Sequence, residues 1–153
     1  MTGPDPKDDL HRYLQSAREA LLWKLDGLSE YDVRRPLVPT GTNLLGLVKH
    51  RYRHAWAHSD ATIRALAMDA IGHVPWWPPH QNEVTLGHVL VRVATDTSRH
   101  AGQADIIREL IDGTVGLTSQ SANMPSGDEA WWQSHRDRVE HAARQAAQIT
   151  NQL

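Results

Sequence analysis

Asp96 and His100 are the pair in this chain whose types and spacing point most directly to chemistry. They lie four residues apart in a stretch with helical periodicity, so both leave the same helix face. A carboxylate and an imidazole so placed can share one metal ion. The same pair can also make an ordinary helix-surface hydrogen bond or ion pair. A metal reading therefore needs a third ligand from elsewhere. His50, His54 and His58 form a second set, at i, i+4 and i+8. The outer two would lie about 12 Å apart along a helix, too far to serve one ion. A neighbouring pair could, although histidines so placed are more often solvated or matched by acidic neighbours.

The element that must position Asp96 and His100 is a long helix over 85–112. Thr85 is a suitable N-cap, since its side-chain oxygen can accept from a first-turn amide, and Gly113 is a suitable left-handed stop. Leu86, Leu90, Val93, Thr97, Ala101, Ala104 and Ile107 give this helix an apolar stripe at spacings of three and four. Upstream, Asp5 and Pro6 read as N-cap and first position of a helix that runs to about Leu25. Leu10, Tyr13, Leu14, Ala17, Leu21, Leu25 and Leu28 line its apolar face. Lys24 falls near its end, where a cation suits the helix dipole. Residues 29–41, with two prolines and a glycine, read as a loop. Thr42 is expected to cap a second helix starting at Asn43. Residues 73–84 carry three prolines together with Trp76 and Trp77 and read as a loop folded over something beneath it. That loop is either a hydrophobic cover for the bundle end or a wall that touches a ligand. A last helix is expected from Asp128 to about Ile149, with a weak apolar stripe of Trp131, Trp132, His135, Val139 and small residues. No strand is expected. Four helices and long loops define an all-α bundle, and ligand sites in bundles sit between facing helices.

Composition narrows the function classes. The chain has 153 residues and a formal net charge of -2, which suits one domain and gives no basic signature for nucleic acid. No apolar run is long enough to span a membrane, and the polar start MTGPDPKDDL is no signal peptide. The absence of cysteine excludes disulfides and thiolate ligands from the chain. A cytoplasmic location is expected. Ten histidines are many for this length, and six tryptophans beside no phenylalanine favour pocket walls as well as cores. There is no glycine-rich phosphate loop, no GxSxG elbow and no internal repeat.

Four segments together carry a family resemblance: LLWKLDGLSEYDVRRPLVPTGTNLLGLVKH (21–50), AWAHSDATIRALAMDAIGHVPWWPP (55–79), TSRHAGQADIIRELIDG (97–113) and NMPSGDEAWWQSHRDR (123–138). The chain resembles the DinB-like superfamily, specifically its DUF664 branch. Characterised relatives in that superfamily include thiol S-transferases and a mycothiol-dependent maleylpyruvate isomerase. The resemblance implies a metal-binding four-helix bundle with three protein ligands. By matching position these are His50 from the LVKH segment, Asp96 where relatives have Glu or His, and His100. Such a set suits Zn²⁺ first, with Ni²⁺, Mn²⁺ or Fe²⁺ as alternatives, and leaves a position open for water or substrate.

The chain departs from the family pattern in two ways. Gln103 stands where many relatives have a histidine, and Asp96 is a shorter arm than Glu. A segment is also missing after His50, so that LVKH runs directly into RYRHAWAHSD. With nothing to break it between Asn43 and Met68, the fused helix would be about 39 Å long. It could not fold back on itself, and a second chain would complete the bundle as a domain-swapped homodimer. His50 and the Asp96–His100 pair would then come from different chains. A tight turn near Arg51–His54 in a monomer is the alternative.

The resemblance thus implies a divalent-metal protein acting as a thiol S-transferase on a small-molecule thiol and an electrophile. A metal-dependent hydrolase is a second reading. A non-catalytic, metal-stabilised dimer and a reduced or engineered scaffold are others. No catalytic base stands out; His54 and His58 are neighbours of the site by helix position, and Trp76 and Trp77 are candidate pocket walls.

Overall fold

The structure is a computed structural model that describes residues 5–48, 52–122, 124, 125 and 127–150, without the side chains of 52–54 and 148–150. Among these residues the chain is helical apart from one small hairpin. The order is α1 (Pro6–Trp23), α2 (Glu30–Arg34), α3 (Leu44–Val48), α4 (Tyr52–Ala65), β1 (Ile71–His73), β2 (Glu83–Thr85), α5 (Leu86–Asp112) and α6 (Glu129–Thr150). The chain forms two compact units, Met1–Ala122 and Asn123–Leu153.

The caps read from the sequence set the ends of the two main helices. Asp5 accepts from the Lys7 amide with Pro6 in the first turn of α1. Thr85 Oγ1 accepts from the His88 amide, and Gly113 closes α5 at φ 74°. Other expectations are corrected. The stretch 29–41 is not all loop, because Ser29 caps the short α2: its hydroxyl accepts from the Asp32 amide at 3.1 Å and donates to the Asp32 carboxylate at 2.6 Å. Asn43, not Thr42, caps α3, with its Oδ1 accepting from the Gly46 amide at 2.8 Å. Helix α4 stops at Ala65, short of Met68. The chain does contain strands: β1 and β2 pair antiparallel, with Ile71 opposite Thr85 and His73 opposite Glu83. Both strands are largely exposed, so no alternation of apolar and polar residues announces them.

Two core clusters fix how the helices run. Leu14 of α1, Ile63 of α4 and Leu90 of α5 form one. Ala20 and Leu21 of α1, Leu44 and Leu47 of α3, and Ala101, Ala104 and Ile107 of α5 form the other. Residue numbers rise from the first cluster to the second along both α1 and α5, so these helices run the same way. They fall along α3 and α4, which run against both. α3 and α4 together therefore descend the flank of α1 and α5, and the hairpin reverses the chain into α5. The expected fused helix 43–68 is thus two described helices in one descending path. Whether it is continuous between them depends on residues 49–51, which lie outside the described residues.

Polar anchors close the unit at the second cluster. Lys24 stands at the C-terminal end of α1, as its position in the sequence indicates, and is fully buried there. Its ammonium meets the Asp105 carboxylate and the Gly116 carbonyl, and it lies over the Trp23 ring. Arg108 donates to the Lys24 and Asp26 carbonyls at 2.9 Å, satisfying backbone acceptors at the end of α1, and grips Asp112 through both carboxylate oxygens. In the second unit, Asp128 Oδ1 accepts from the Trp131 amide at 2.8 Å and starts α6, where the Trp131 and His135 rings stack at 5.3 Å. No described helix is long and apolar enough to cross a membrane.

Candidate functional site

Helix α5 turns one face toward a cavity of about 890 Å³, a size in the range of small-molecule sites. Arg92, Asp96, Arg99 and His100 line it from α5; Ala55, Trp56 and Ser59 from α4; Arg18 from α1; and Val74, Trp76 and Trp77 from the hairpin loop. Asp96, His100, Trp76 and Trp77, singled out from the sequence, therefore share one cavity. Trp76 is 82% exposed, while Trp77 is half-buried and held from two sides. The guanidinium of Arg92 lies 4.6 Å from the centre of the Trp77 ring, and His88 meets that ring edge-on at 6.4 Å.

Within this face, His100 Nε2 lies 3.5 Å from Asp96 Oδ2. His100 Nδ1 lies 2.9 Å from Gln103 Oε1. An amide oxygen only accepts, so Nδ1 is the donor in this contact. Gln103 thus orients the His100 ring, as the hydrogen-bond partner of a ligating histidine does. The donor spacing fits as well: two ligands about 2.1 Å from a tetrahedral ion stand about 3.4 Å apart. At this spacing the pair can hold a divalent metal or remain an ion pair along the helix. Among the described residues no set of three His, Asp or Glu side chains is placed to share an ion. His50 lies outside the described residues, and so does the side chain of His54. His58 is exposed on α4 and does not line the cavity.

Beneath the cavity lies a polar network that sequence reading missed. Arg18, almost fully buried, donates to Asp60 Oδ1 at 2.7 Å and to Ser59 Oγ at 2.8 Å. His11 reaches Asp60 Oδ1 at 3.0 Å, and Gln15 donates to Asp60 Oδ2 at 2.7 Å. Burial by itself would raise the Asp60 pKa, but the hydrogen bonds from His11, Arg18 and Gln15 and the Arg18 charge outweigh it and hold the carboxyl below its ordinary value. Arg18 also faces the Trp56 ring at 5.2 Å, which sets that wall of the cavity. His11, Gln15 and Arg18 recur at helical spacing on α1, a polar stripe beside the apolar one, and that was the available signal.

The mycothiol-S-transferase family model matches this chain over residues 9–51 and 51–113. The two segments span more than half of the 153 residues. The chain belongs to the mycothiol-S-transferase family. The two matched segments meet at residue 51, next to the point where the sequence reading places the missing segment. They contain every residue that lines the cavity. No curated protein and no solved structure matches the chain.

Proposed function

We propose that this mycothiol-S-transferase family member is a metal-dependent thiol S-transferase, with His50, Asp96 and His100 holding one divalent cation, Zn²⁺ before Ni²⁺, Mn²⁺ or Fe²⁺. The observation that carries the reading is the Asp96–His100 pair, 3.5 Å apart and facing an aromatic-walled cavity. A divalent cation there would acidify a thiol and favour its thiolate at neutral pH. The chain's own residues do the rest. Gln103 orients the His100 ring, Asp96 supplies negative charge, and Trp56, Trp76 and Trp77 give the cavity its apolar wall. The thiol proton leaves to water. The sulfur then forms an S–C bond to the acceptor as the bond from that carbon to the leaving group breaks, its electron pair going with the leaving group.

The test is metal content of protein purified without chelator, beside His100→Ala. About one equivalent per chain is expected, lost in the variant, followed by conjugation of mycothiol to an electrophile that also fails in the variant. If neither protein holds metal after reconstitution with Zn²⁺ and Ni²⁺, Asp96 and His100 are an ion pair on a helix face and the transferase mechanism falls.

A further inference from the structure

The charge of the cavity wall says something about the second substrate. Three arginines and one aspartate line it. Arg18 is already neutralised by Asp60. Arg92 and Arg99 are different: among the described residues neither has a carboxylate or hydrogen-bond partner, and Arg92 only lies over Trp77. Set against Asp96, they leave the wall with one net positive charge, on a chain whose formal net charge is -2. Arg92 and Arg99 are seven residues apart on α5, two turns of one face, with Asp96 between them and His100 beside Arg99. Trp56, Trp76, Trp77, Val74, Val89 and Val93 supply the apolar surface around them.

We infer that the acceptor is a small organic monoanion, with a flat apolar body lying against the tryptophans and a carboxylate held by Arg92 and Arg99. The guanidinium fork matches a carboxylate in shape and charge. In the metal-free protein Asp96, on the same face, disfavours a dianion such as a phosphate monoester. The carboxylate is a handle that does not react, so its recognition is separable from thiol chemistry. The inference rests on the transferase reading only for calling this ligand the acceptor.

The experiment is calorimetric titration of the full-length protein with 2-naphthoate and with neutral 2-naphthamide, in the wild type, Arg92→Gln, Arg99→Gln, the double variant and Trp77→Leu. Naphthoate should bind more tightly than the amide. Each arginine variant should weaken naphthoate by about three- to tenfold and leave the amide unchanged. Trp77→Leu should weaken both ligands. The arginines are exposed, so unaltered thermal unfolding is expected and confirms that the variants fold. Equal affinity for the two ligands, or naphthoate binding indifferent to both arginines, overturns the inference. Repeating the titration in EDTA separates it from the metal reading. Naphthoate binding that survives EDTA and needs the arginines supports it; binding lost in EDTA and indifferent to the arginines places the carboxylate on the metal and overturns it.

Discussion

Gln103 and Asp60 show how single side chains prepare this site. Gln103 has no charge to give a metal, yet it accepts from His100 Nδ1 and orients the ring. Gln103→Leu should therefore lower metal affinity by about 10- to 100-fold while leaving thermal unfolding almost unchanged; competition with a chromogenic chelator measures it. Asp60 works through Arg18. Because its folded pKa lies below the ordinary carboxylate value, the stability it contributes is present above the unfolded pKa and is lost as pH falls through the folded one. Asp60→Asn leaves the Arg18 charge buried without its partner and should cost about 3 kcal/mol at pH 7. The gap between variant and wild type should narrow steadily below about pH 4, as urea denaturation across pH would record. A constant gap down to pH 2 would mean that the carboxylate's charge is not what holds Arg18.

Helices α1, α4 and α5 meet at Leu14, Ile63 and Leu90, beside the cavity-lining end of α4. Leu14 is 1% exposed, and Leu14→Ala should cost about 2–5 kcal/mol, read as a lower urea midpoint with an unchanged slope. The segment after α5 depends on backbone shape instead. Gly116 has φ 117°, and a Cβ there would come within 2.6 Å of the Ser121 carbonyl oxygen. Gly116→Ala should lose about 1–3 kcal/mol and loosen the Lys24 and Trp23 hydrogen bonds to this segment, visible as faster hydrogen exchange at the end of α1. These elements differed in legibility. Asp5–Pro6, Thr85 and Gly113 could be read because a cap depends only on residues a turn away. Ser29-x-x-Asp32 carried a similar local signal, hidden by the prolines around it. The β1–β2 hairpin gave none, since exposed three-residue strands have no buried face to pattern.

As a folded unit, residues 5–122 contain both core clusters and the whole lining of the cavity. This bears on assembly. A swapped homodimer was expected because one long helix could not turn back on itself. Among the described residues α3 and α4 run opposite to α1 and α5. The homodimer stands as a proposal, and light scattering at micromolar concentration tests it. A dimer mass supports ligands shared between chains; a monomer mass removes that reading and leaves His50, Asp96 and His100 as a set from one chain.

The amino-acid order alone determined what is local or periodic. It marked the two main helices and their caps, the all-α class, the family, and the i,i+4 placement of Asp96 and His100, because each depends on residues within a few turns or on long contiguous motifs. Tertiary structure decided what depends on distant partners. It set Arg18 against Asp60, buried Lys24 beneath Asp105, and brought Trp76 and Trp77 over the same cavity as His100. It also gave Arg92 and Arg99 a shared cavity and no ion-pair partner among the described residues. Those relations arise only when α1, α4, the hairpin and α5 pack together, and no spacing along one helix encodes them.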